Sequence, residues 1–139
     1  MKYAPIKLTP ALLFLSTAIL SLLIGFWTKK QTIDVNIYDM YYVIGHLGIA
    51  VLICLFTGLT GLIYLALERI KRPVKLKMGY WHFWFFMAGL LILVPAFGLK
   101  ILTDSPYTAP IFVLASILLF FISLVIFVIG LARAFFYAK

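Results

Sequence analysis

The 139-residue chain carries a formal charge of +8, from 12 Lys and Arg against 4 Asp and Glu, yet 65% of it is hydrophobic and only 12% is charged. A mean hydropathy of +1.16 excludes a soluble domain, because no soluble fold of this length has enough interior to hide so much apolar surface. The basic residues cluster at the ends of apolar runs, so the charge reads as a bias toward anionic lipid headgroups and excludes nucleic acid as a partner.

Four apolar runs, approximately 8–27, 40–67, 78–99 and 107–132, are each long enough to span about 30 Å of hydrocarbon at about 1.5 Å per residue. The expectation is an all-α fold, a single four-helix transmembrane domain over residues 1–139. The first run follows Lys2 and Lys7 as a signal peptide would. It is too long for a signal core, lacks a small-residue cleavage site and runs to Trp27 and Lys29, so it reads as a retained helix. Pro5, Pro10, Pro73, Pro106 and Pro110 fall at element edges, whereas Pro95 is expected to kink or end the third helix.

Charge then orients the bundle. Lys2, Lys7, Arg69, Lys71, Arg72, Lys75, Lys77, Arg133 and Lys139 lie on one side, and Lys29, Lys30 and Lys100 on the other. Nine against three places both termini in the cytoplasm of a multi-pass protein of a prokaryotic-type inner membrane.

The second helix carries the candidate chemistry. His46 stands about seven residues into the apolar run Met40–Leu67, at a depth of about 10 Å on the expected helix. An imidazole in hydrocarbon is costly unless something pairs with it or uses it, and haem iron is the leading user. On a helix, His46 shares a stripe with Tyr42, Ala50, Ile53 and Thr57, and Gly45 and Gly48 flank it, removing bulk where a flat macrocycle needs a notch. The same glycines serve equally well as small residues for helix packing, with His46 hydrogen-bonded across an interface. Cys54 is a lone mid-span thiol, and there is no CxxC or CxxCH, so any haem is held non-covalently.

Read as a string, Asp34-Val35-Asn36-Ile37-Tyr38-Asp39-Met40-Tyr41-Tyr42-Val43-Ile44-Gly45-His46-Leu47-Gly48 resembles the tenth-helix signature of subunit I of the haem-copper oxidases, D-x-x-x-H-D-T-Y-Y-V-x-x-H-F-H. Thr9-Pro10-Ala11-Leu12 and the span after it look like the ninth helix of that family. Trp81-His82-Phe83-Trp84-Phe85-Phe86-Met87-Ala88-Gly89 and Val94-Pro95-Ala96-Phe97-Gly98-Leu99 look like the two ends of the eleventh. Nearly the whole chain thus resembles the last four of twelve oxidase helices, standing alone.

The resemblance implies a role for His46 as proximal ligand of a high-spin haem. Gly48 replaces a low-spin haem ligand, Asp39 matches the aspartate of a non-redox metal site whose neighbouring histidine is here Tyr38, and the arginine pair for haem propionates is absent. Lys100 and Asp104-Ser105-Pro106-Tyr107 occupy similar loop positions. The copper-binding helices are missing, so the resemblance implies no copper and no oxygen reduction. Independently, none of the four spans holds an Asp, Glu, Lys or Arg in its interior, which argues against a proton pump, a channel or a transporter.

His82, within the aromatic belt Tyr80-Trp81-His82-Phe83-Trp84, reads as an ordinary interface residue. About 15–20 Å along the normal separates it from His46, too far for one iron within one protomer. Two copies of His46 in a homo-oligomer lie at one depth and suit a bis-imidazole haem.

The leading expectation is therefore a membrane b-type-like haem protein. His46 binds the iron, with Gly45, Gly48, Tyr42 and Lys100 around the cofactor, for electron transfer or haem handling beside a respiratory complex. The expected partners are membrane lipids and either a second copy or the subunits of a membrane redox complex. The alternatives are a haem-free accessory subunit of such a complex and a haem-based gas sensor.

Overall fold

The computed structural model describes the backbone of residues 8–37, 40–98 and 108–136, and the side chains of these residues apart from 33–42, 94–98 and 108–110. The elements are α1 (Pro10–Trp27), a hairpin of β1 (Thr32–Ile37) and β2 (Met40–Gly45), then α2 (His46–Arg69), α3 (Leu76–Gly98) and α4 (Thr108–Phe136). All four helices are long and apolar enough to cross a membrane. The protein is an all-α four-helix bundle with one two-stranded hairpin in its first connection.

Each boundary has a local cause. Thr9 caps α1, its hydroxyl accepting the Leu12 N–H at 3.4 Å, and Pro10 fills the first turn, where a missing N–H costs nothing. α2 ends where Lys71 turns left-handed at φ 58, with the Arg72 N–H bonded back to the Leu67 carbonyl at 2.9 Å. α3 does not stop at Pro95. It continues to Gly98, so the proline sits within the final turn.

The start of the second helix departs from expectation. Residues 40–45, expected to be helical, form β2, which pairs antiparallel with β1 from Thr32↔Gly45 to Ile37↔Met40. The run Met40-Tyr41-Tyr42-Val43-Ile44 is rich in β-branched and aromatic residues, faces an equally β-prone Thr32-Ile33-Asp34-Val35-Asn36-Ile37, and enters α2 through an extended Gly45 at φ −70, ψ 137. Open strand edges are not tolerated in hydrocarbon, so the hairpin lies outside it. His46, as the first residue of α2, therefore sits at the membrane boundary and not about 10 Å below it.

Packing follows a seven-residue interval. Buried on α1 are Ala11, Ala18 and Gly25, on α2 Ala50, Thr57 and Tyr64, on α3 His82 and Gly89, and on α4 Ser116, Ser123 and Gly130. The residues at this interval are mostly small or polar, joined in the core by Phe14, Leu67 and Phe83, while most Leu and Ile face outward, as expected where lipid is the solvent and close backbone approach drives association. Gly25 lies against Ala50, leaving no space for a side chain. A Cβ on Gly61 would stand 3.1 Å from the Leu15 backbone nitrogen.

The α1–α2 and α3–α4 pairs pack along their lengths, whereas the two pairs meet over a smaller area. That meeting lies toward the end of the bundle where Gly79 abuts Pro10, Tyr80 donates to the Leu8 carbonyl and Val74 packs on Gly130. Exposed Arg69, Lys71, Arg72, Lys75, Lys77 and Arg133 crowd the same end.

Candidate functional site

Where the helical pairs diverge, a cleft of about 670 Å³ opens between them. His46, Ile49, Ile53, Phe56 and Thr60 line it from α2, His82, Phe86, Leu90 and Leu93 from α3, and Phe120, Ser123, Leu124 and Phe127 from α4. The volume falls within the range of small-molecule sites, and the wall is apolar with a few polar groups, the composition such sites favour. The stretch from His46 to Thr60 makes the cleft about 21 Å long along α2. Leu52, Phe56 and Leu124 at its rim are 57%, 66% and 55% exposed, so the cleft opens sideways, toward what would be lipid.

The two histidines mark opposite ends of this cleft, and their surroundings differ. At one end His46 is only partly covered, and its backbone N–H donates to the Gln31 carbonyl at 3.1 Å. Its Nδ1 is shut off from solvent and has no hydrogen-bond partner among the described residues. A buried nitrogen left in this way is costly, an unmet hydrogen-bonding capacity on a residue that lines the cleft. The bond to Gln31 ties the start of α2 to the turn that follows Lys29 and Lys30, both exposed.

At the other end His82 is 5% exposed, its Nδ1 2.9 Å from the Tyr64 hydroxyl, and its carbonyl accepts from Ser123 Oγ at 3.0 Å. Phe14 and Phe127 flank its ring, each with centroid 4.8 Å away. This cluster takes a side chain from every helix. His82 is therefore a core residue and not the interface residue that its aromatic belt suggests. The length of the cleft places the two histidine sites about 21 Å apart.

The sequence-derived site is only partly assembled. Among its members His46 lines the cleft. Gly45 and Gly48 do not, and a Cβ added to either meets nothing within 4 Å. The space beside His46 is open, but no contact within the chain requires glycine there. Tyr42 belongs to β2, so the helical stripe expected to join it to His46 does not exist, and its side chain lies outside the described residues. The remainder of that stripe divides: Ile53 faces the cleft, whereas Ala50 and Thr57 are buried in the bundle. Lys100 and Asp39 lie outside the described residues. Lys29 and Lys30 are the cations placed near His46, a feature the sequence alone did not single out.

Among the described residues no three His, Cys, Asp or Glu side chains come together to hold a bare metal ion. A lone imidazole suits a metal that brings its other ligands with it. Haem is such a group, with four ring nitrogens supplied by the porphyrin. No protein-family model, curated protein or solved structure matches the chain.

Proposed function

We propose that the protein is a multi-pass membrane haem protein that binds a b-type haem non-covalently through His46. The observation that carries this reading is the buried, unpartnered Nδ1 of His46 at the end of an apolar cleft. The residues available to hold the group are His46 for the iron, Ile49, Ile53 and Leu93 for the apolar ring, and Lys29 and Lys30 for carboxylates. When bound, haem supplies one-electron chemistry, and the protein contributes the axial ligand and a dry surrounding. Electron transfer or haem handling beside a membrane redox complex follows from that combination.

His82 is unsuited to be a second ligand to the same iron, since it is held by Tyr64 at the far end of the cleft, about 21 Å from the His46 end. Were haem bound, a second imidazole would have to come from His46 of a second copy. Both termini, with the basic end of the bundle, face the cytoplasm of an inner-type membrane. Cysteine placed at Gln31 is expected to react with an impermeant reagent from outside, and cysteine at exposed Lys75 only after lysis. The reverse pattern would invert this orientation.

The deciding measurement is an optical spectrum of the detergent-purified protein after expression with haem supplied. A Soret band that disappears in His46→Ala is expected. Its spin state separates a bis-imidazole haem shared between copies from an open, sensor-like site. No band in the wild type would overturn the reading and leave a haem-free accessory subunit.

A further inference from the structure

The end of the cleft at His82 has a chemistry of its own that does not depend on haem. Here Thr60, His82 and Ser123 are the polar groups in a wall otherwise made of Phe86, Phe120 and Phe127. The Ser123 hydroxyl is occupied by the His82 carbonyl at 3.0 Å. A phenol is the better acid of the Tyr64–His82 pair, so its O–H donates to Nδ1 and the proton of the neutral ring rests on Nε2. His82 thus offers an N–H donor at one end of a cleft about 21 Å long, more than half the thickness of the hydrocarbon.

We infer that this end of the cleft binds a membrane-dissolved lipid with a neutral carbonyl head on a long apolar chain, the carbonyl accepting from His82 and the chain lying along α2 toward His46. Three observations select that chemistry. The sideways opening between Phe56 and Leu124 admits a ligand from the bilayer without passage through water. The length of the cleft suits a chain parallel to the helices. Among the described residues no charged side chain lines the His82 end, so a carboxylate or phosphate head there would be stripped of water with no cation to meet it, whereas a carbonyl needs only the one donor. An acylglycerol ester and a prenylated quinone share this chemistry.

The test uses the full chain in lipid nanodiscs with a monoacylglycerol carrying a diazirine in its acyl chain. After illumination, mass spectrometry is expected to find the label enriched on 49–60, 86–93 and 120–127 over the lipid-facing 111–118. Unlabelled monoacylglycerol or a prenylated quinone should displace it. Whichever competes better identifies the source, and a fatty-acid carboxylate should not compete.

His82→Phe keeps a ring between Phe14 and Phe127 but removes the donor. It should cut specific labelling about tenfold, the value of one hydrogen bond of about 1.4 kcal/mol. Leu90→Trp, remote from the polar cluster, should block the cleft and abolish labelling with the fold intact. Labelling spread evenly over the exterior, displacement by neither neutral competitor, or labelling unchanged in Leu90→Trp would overturn the inference. His46→Ala separates the two readings, because it removes the Soret band and leaves the lipid label in place.

Discussion

The two histidines of this protein are the same residue type at the two ends of one cleft, yet their surroundings differ. His82 is pinned by Tyr64, its ring is flanked by Phe14 and Phe127, and its carbonyl receives Ser123, so the surrounding bundle is built around it. His46 begins a helix, is partly covered, and keeps a buried nitrogen with no partner among the described residues. The comparison teaches that depth in the membrane does not by itself mark a functional histidine. An unmet hydrogen-bonding capacity on a residue lining a cleft is the better sign, because a satisfied group has already spent its chemistry on the fold.

The sharpest way to break the contrast is to exchange the losses. His46→Ala is expected to abolish haem binding completely while the four helices still insert, read from the Soret band together with circular dichroism. His82→Ala should retain the band. A retained band in the first variant, or a lost one in a well-folded second variant, would reverse the roles assigned to the two ends.

The stability cost should run the other way. His82→Ala leaves the Tyr64 hydroxyl buried without its partner and opens a hole between two aromatic rings, so a loss of about 3 kcal/mol is expected in detergent unfolding titrations. Equal destabilisation by His46→Ala would mean that both histidines are structural.

A third comparison sets one glycine against another. Gly25→Leu drives a side chain into Ala50 and should cost about 1–3 kcal/mol, whereas Gly48→Ala faces open space and should stay within about 0.5 kcal/mol. Thermal unfolding of both variants checks this. A large effect at Gly48 would indicate a neighbour supplied by a second copy.

The smallest expected effect concerns the charges near His46. Removing Lys29 and Lys30 as a pair should leave the fold unchanged and weaken haem retention about threefold to tenfold, with the difference shrinking at high salt as exposed electrostatics require. Haem transfer to an acceptor protein at two ionic strengths measures it. Indifference to both substitutions would remove the lysines from the site.

The spans were legible because runs of about twenty apolar residues between charges admit few structures in a bilayer. The hairpin was not. Residues 40–45 are as apolar as the helix they precede, and a short apolar stretch carries no period that separates strand from helix, so only the pairing of Thr32–Ile37 with Met40–Gly45 decides it. That error of six residues shifted His46 in depth and attached Tyr42 to the wrong element.

His82 was misread for a different reason. An aromatic belt explains a histidine by composition, whereas its partner, Tyr64, lies on another helix and is found only by packing. One signal was available. Ala11, Ala18 and Gly25, Ala50, Thr57 and Tyr64, His82 and Gly89, and Ser116, Ser123 and Gly130 repeat at sevens, and that register is consistent with His82 and Tyr64 on inward faces.

The division of the bundle into two tightly packed pairs bears on how the protein is made. α1 with α2, and α3 with α4, each bury a stripe of small residues against a partner adjacent in sequence, so each pair enters the bilayer as a self-sufficient unit. The seam between them is then expected to close last, with the Tyr64–His82 bond joining α2 to α3 across it. A chain severed between Lys71 and Lys75 should therefore reconstitute from two co-expressed halves, and the same cut combined with Tyr64→Phe should yield halves that insert but separate during purification.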